Sequence, residues 1–197
     1  MIDASDFSDE ETQDLADAVK TWNKSHQSVY GSRLFRLKTR VSRDFRVTEL
    51  LGCQFEGSSD EIHVYRVGSV GEWKTAGLSE SSPAVTLRCQ SKKIDEVFGK
   101  QVILLNSKDR GPSKREQFQS IVLHELGHAI GLFHSCESGG SKTEGAQCTD
   151  LSDDHPYKRA VMYPYLHIDR RTNRPEVKEQ LTSNDEERAR CIWGARR

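Results

Sequence analysis

The segment His124-Glu125-Leu126-Gly127-His128-Ala129-Ile130-Gly131-Leu132-Phe133-His134 holds the residue types most able to do chemistry. Two histidines four apart on a helix stand roughly 40° apart around its axis, one turn above the other, so both imidazoles can reach one ion. Glu125 projects from the same turn, placed to take a proton from a water at that ion. A third ligand six residues further on requires the chain to turn. Gly131, free of Cβ and able to adopt positive φ, would let His134 swing back. Three nitrogen ligands leave a fourth tetrahedral position for water, the layout of a catalytic rather than a structural zinc. At this chain's residue frequencies the five positions coincide by chance with a probability on the order of 10⁻⁵ to 10⁻⁴.

These residues need elements to position them. Phe118, Ile121, Val122 and Leu126 supply an apolar stripe, which predicts a helix from about residue 113 to Gly131. Upstream, Ser8-Asp9-Glu10-Glu11 reads as a capping box. Leu15, Val19 and Trp22 follow at helical spacing and predict a helix over 9–25. Phe35, Leu37, Thr39 and Val41 alternate with Arg36, Lys38 and Arg40, predicting a half-buried strand over 33–41. Further strands are expected at 61–67, 84–89 and 101–106, with Gly and Ser clusters at 57–59, 68–71 and 79–82 between them. Residues 135–155 are rich in Ser, Gly, Thr and Asp and read as a long loop. A short helix over about 183–193 closes the chain. The element order implies an α+β domain with a break near Gly131.

The chain of 197 residues carries 29 Lys plus Arg against 30 Asp plus Glu, a formal net charge of −1. It has no basic field for nucleic acid, and no apolar run approaches the roughly 20 residues of a membrane span. Neither nucleic acid nor membrane is expected as a partner, and the expected state is a monomer. Met1 to Asp6 is acidic and lacks the basic start and apolar stretch of a secretory signal, so the chain is expected to be cytosolic or a mature form. The five cysteines (Cys53, Cys89, Cys136, Cys148, Cys191) fit two disulfides and a free thiol, or five thiols. Pairings to test are Cys136 with Cys148, which bracket a loop just past His134, and Cys53 with Cys89.

At this point the chain resembles the metzincin metallopeptidases, whose long zinc motif is followed by a methionine turn. Val161-Met162-Tyr163-Pro164 matches that turn, and Met1 is the only other methionine. Within the metzincins the pattern is most similar to the matrixins, the matrix-metalloproteinase-like group. Ser135 follows the third histidine, Met162-Tyr163-Pro164 repeats the turn, and Leu181-Thr182-Ser183-Asn184-Asp185 through Ile192-Trp193-Gly194 looks like the closing helix.

The resemblance implies one catalytic domain over 1–197, with an upper half 1–131 and a lower half 132–197. It implies a twisted, mostly parallel five-stranded sheet with two long helices above the cleft, and a small irregular lower half with a C-terminal helix. His124, His128 and His134 would hold one catalytic zinc, Glu125 would be the general base, and Met162 an apolar floor beneath the imidazoles. Asp185 would bind backbone at the methionine turn. Asn184 stands where the family carries a second Asp that receives the freed N-terminal amine, which departs from that latch. Tyr163 and Tyr165 are candidates for the substrate pocket or the oxyanion.

A second, structural zinc is not expected, because residues 57–100 contain only His63 as a histidine. Nor is calcium, since the acidic loop around Asp150, Asp153 and Asp154 lacks a spaced motif. His26, His63, His155 and His167 are read as surface or hydrogen-bonded side chains. Arg170, Arg171 and Arg174 are read as a solvated face near the pocket wall, one that could favour acidic residues in a substrate. The function expected is a zinc-dependent endopeptidase acting on an extended protein or peptide substrate laid along a cleft-edge strand, either 101–106 or its neighbour. Two alternatives are a catalytically silent zinc-containing peptide-binding module and a dedicated cytosolic protease with a single substrate. The resemblance favours a secreted or extracellular protein.

Overall fold

A computed structural model describes residues 2–3, 7–37, 39–40, 54–55, 62–91, 98–106, 112–137, 145–165, 168–169 and 172–195. The fold is α+β. Helix α1 spans Asp9–Tyr30. The Ser8 side chain accepts the Glu11 N–H and the Glu11 carboxylate accepts the Ser8 N–H, so the capping box forms as expected. The helix runs further than its apolar pattern and stops at Gly31, where φ is +70° and the N–H donates to Gln27 O at 2.9 Å.

The main sheet has the order β2-β1-β4-β6-β5-β3. Three strands carry it: β4 (Ile62–Arg66), β5 (Ala84–Ser91) and β6 (Phe98–Leu105). The remaining members, β1 (Ile2–Asp3), β2 (Thr39–Arg40) and β3 (Gln54–Phe55), are two-residue pieces. β6 pairs parallel with β4 and antiparallel with β5. Four of the five strand pairings are parallel and one is antiparallel, so the sheet is mostly parallel but mixed, and the described residues do not form the five-stranded sheet that the resemblance implies.

Of the described residues in the strand expected over 33–41, only Thr39–Arg40 are strand. The Asn23 side chain takes up the peptide of Phe35 instead, accepting its N–H at 2.7 Å and donating to its C=O at 2.9 Å. Backbone groups claimed by a side-chain amide are no longer offered to a ladder.

β6 is buried on both faces, which is why its apolar run does not alternate. Ile103 and Leu105 join Trp22, Leu15, Val122, Leu126 and other residues in the larger core, between the sheet and helices α1 and α3 (Pro112–Ala129). Val102 and Leu104 pack with Val67, Trp73 and Cys89 on the opposite face. Trp73 belongs to α2 (Val70–Thr75), a short helix in a stretch whose glycines read as a break. The Trp22 indole donates to Leu123 O at 2.9 Å, pinning α1 to α3 inside this core.

Past α3 lie a 3-10 turn at Cys148–Asp150, α4 (Pro156–Arg159), the hairpin β7 (Ile168–Asp169) with β8 (Arg174–Pro175), and α5 (Ser183–Ala195). The described residues at the two ends of the expected 135–155 loop are tied together. Glu137 pairs with Gln147, and Cys136 is disulfide-bonded to Cys148. Cys89 is also disulfide-bonded, while Cys53, its expected partner, lies outside the described residues. Cys191 is a free, exposed thiol. Among the described residues no helix is long and apolar enough to cross a membrane.

Candidate metal centre

Helix α3 presents His124 and His128 one turn apart and ends in a glycine stop. Gly131 has φ +106°. Its N–H donates to His128 O at 3.0 Å, and Leu132 N–H donates to Gly127 O at 3.0 Å. This paired closure of a helix end needs a left-handed residue, which Gly supplies without a Cβ clash. The reversal carries His134 back over the helix end.

The three imidazoles then converge, with one ligand nitrogen from each lying within 4.8 Å of the others. His124 Nδ1 donates to Val161 O at 2.7 Å and His128 Nδ1 donates to Leu132 O at 2.8 Å. A carbonyl can only accept, so each proton sits on Nδ1 and each Nε2 lone pair faces the shared point. His128 Nε2 and His134 Nε2 are 3.2 Å apart. Two ligands about 2.05 Å from one zinc at the tetrahedral angle stand about 3.3 Å apart, so the spacing fits a shared ion. Burial, the largest cause, lowers the pKa of His124 to about 3 and that of His128 to about 4, and lowers that of His134 too. All three are therefore neutral at pH 7, the form that binds metal.

Glu125 is 6% exposed. Burial raises its pKa to about 7, against the pull of the Thr86 hydroxyl, which donates to its carboxylate. A carboxyl group near neutrality can both take and return a proton.

Residues 161–162 brace the site from below. Met162 is fully buried. A Cβ on Gly127 would overlap its Sδ and would stand 3.2 Å from the Trp22 ring, so a larger residue there requires Met162 to shift. Met162 thus packs under the turn that carries both helical histidines. Asp185, 0% exposed, accepts the N–H of Val161 at 2.9 Å and of Met162 at 3.1 Å. Met162 O in turn accepts the Ser135 N–H at 2.8 Å, next to the third histidine.

The histidines and Glu125 open onto a cleft of about 1020 Å³ that Tyr163 and Tyr165 also line. Their rings meet edge to face at 5.7 Å, and Tyr165 is half exposed. Of the basic candidates, Arg170 and Arg171 lie outside the described residues, as does His167, and Arg174 begins β8. His63, His26 and His155 are apart from the site. His63 bonds the Tyr65 hydroxyl, His26 bonds Ser32 O, and the His155 ring caps α4 by accepting the Tyr157 N–H.

Several contributors carry no local sequence signal. Thr86 on β5 holds Glu125, and Arg88 donates to His128 O at 3.1 Å. Arg188 donates to Phe133 O and His134 O at 2.9 and 3.0 Å. Lys178 and Glu176 line the cleft. Comparisons with protein-family models, with curated proteins and with solved structures each return no match to this chain.

Proposed function

We propose that the chain is a zinc-dependent endopeptidase of the metzincin type, nearest in pattern to the matrixins. The observation that carries this reading is the meeting of three neutral imidazoles and the buried Glu125 carboxyl in one cleft. The α+β order and the placement of Met162 under Gly127 support the same reading.

His124, His128 and His134 would hold the ion. What zinc supplies when bound is Lewis acidity, lowering the pKa of a water to about 7 and polarising a carbonyl. Glu125 then acts as general base, taking the proton of the attacking water and passing it to the departing amine nitrogen. Thr86 fixes the carboxylate through its hydroxyl, so the base meets the substrate in one orientation.

The substrate would lie extended along β5. Ala84, Val85, Thr86, Leu87 and Arg88 line the cleft, whereas β3 pairs with β5 only at Gln90 and Ser91. Among the described residues the Ala84–Arg88 edge has no strand beside it, and a peptide can add there through main-chain hydrogen bonds. The disulfides at Cys136–Cys148 and Cys89 support an oxidising, extracellular setting.

The test compares wild type with Glu125→Ala, matched for zinc content, on a complex peptide library with every cut mapped. Cuts made by wild type alone are expected. No cuts by zinc-loaded wild type, or equal cutting by the variant, would overturn the proposal.

A further inference from the structure

The cleft contains a cation that the proposed chemistry does not use. The Lys178 backbone N–H donates to Ser120 Oγ at 2.7 Å, and Ser120 lies one helical turn before His124 on α3. One turn rises about 5.4 Å, so this recess is within a side chain's length of the histidines. The Lys178 ammonium donates to Ala160 O at 2.6 Å and to Lys158 O at 3.0 Å, and stands 5.4 Å from the centre of the Tyr163 ring.

All of these partners are neutral. Among the described residues no ion pair engages Lys178. Two of its three N–H donors are taken by carbonyls and one is left. Burial disfavours its charge, and the charges of Glu176 and Asp185 only partly offset this. Glu176 shares the cleft wall but is exposed, so solvent and salt screen it more than they screen the ammonium. A half-buried cation with a spare donor, on a residue that lines the cleft, is complementary to a carboxylate.

We propose that Lys178 makes the recess beside Tyr163 and Ser120 a carboxylate-binding subsite, so that the cleft selects peptides with an acidic group close to the bond cleaved. This rests on the endopeptidase reading above. The carboxylate has two sources, an Asp or Glu side chain beside the cut or the peptide's own C-terminus. Either would take the third ammonium N–H and add a charge-assisted hydrogen bond to a cation that carbonyls alone now hold.

Peptides of one sequence carry Glu, Gln or Leu at each position flanking the cut, with free or amidated C-termini. Wild type is expected to favour Glu over Gln at one position, or a free over an amidated end, by roughly ten- to hundredfold in kcat/KM. A preference that follows Glu assigns a side chain, and one lost on amidation assigns the terminus. K178R should keep the preference, K178M should bring the ratio to about one, and K178E should favour Lys at the same position. A flat wild-type profile, or a preference that survives K178M, overturns the subsite. Should K178M unfold, as thermal melting would report, K178Q takes its place. Calorimetric binding of the same peptides to zinc-loaded E125Q reads the subsite without turnover. Discrimination there with no cleavage by wild type overturns the endopeptidase reading alone. Equal binding of acidic and neutral peptides overturns the subsite even where cleavage occurs.

Discussion

Asp185 and His124 are joined through a single residue. The Asp185 carboxylate accepts the Val161 N–H, and the Val161 carbonyl accepts the proton of His124 Nδ1. The orientation of the His124 imidazole is thereby set from α5.

Asp185→Asn should therefore weaken the fold and the site together. The carboxylate also accepts the Thr182 N–H at 3.0 Å and the Thr182 hydroxyl at 2.7 Å. An amide turns one acceptor oxygen into a donor that faces other donors. The expected loss is about 2–4 kcal/mol in denaturant unfolding, with zinc affinity down about tenfold or more. Unchanged affinity in a folded variant would show that Val161 holds His124 without help.

Gly127→Ala tests the packing beneath the histidines. The added methyl meets Met162 Sδ and the Trp22 ring, both on fully buried side chains. Helix propensity favours Ala by about 1 kcal/mol, but overpacking costs about 1–3 kcal/mol and strains the turn between His124 and His128. Reduced thermal stability and weaker zinc binding are expected. A more stable variant with unaltered affinity would mean that Met162 moves aside freely.

The pH dependence of Glu125 can be read against Glu125→Gln in chelated protein. Its folded pKa is raised from 4.5 to about 7. Ionisation in the folded state is thus penalised: the penalty is absent below pH 4.5, grows between 4.5 and 7, and is complete above that. Glu125→Gln should be the more stable protein above pH 7, by up to about 3 kcal/mol. The gap should close as pH falls to 4.5. Chemical denaturation at several pH values measures this, and a gap that widens on acidification would contradict the sign.

The Cys136–Cys148 bridge closes a short loop directly after His134. Glu137 N–H donates to Ala146 O at 2.9 Å, and Cys148 N–H donates to Glu137 O at 3.0 Å. Replacing both cysteines by Ser should cost about 3 kcal/mol on loop-closure grounds, and should lower zinc affinity by loosening the approach to His134. Equal melting temperatures for the two proteins would place the loop's order in its backbone bonds.

Much of the centre was legible because its information is local. His124 to His134 is one helix turn, a glycine stop and a return, and the capping box at Ser8–Glu11 is equally self-contained. Helix α2 had a signal too, since Ser69 caps it by accepting the Glu72 N–H, but the glycines nearby masked it. The strand over 33–41 failed because Asn23, on another element, competes for the Phe35 peptide. Thr86, Arg88 and Arg188 reach the site across 39, 40 and 54 residues of sequence. Spacing rules say nothing about partners that only tertiary folding brings together.

The dependence of the histidines on α5 also has a bearing on synthesis. Asp185 and Arg188 both belong to a helix that the ribosome makes after all three histidines, and between them they fix the backbone at Val161, Met162, Phe133 and His134. A nascent chain that has already displayed all three imidazoles still lacks the braces that aim them. If the proposed ion is bound, its histidines would be aimed at it only once α5 has docked.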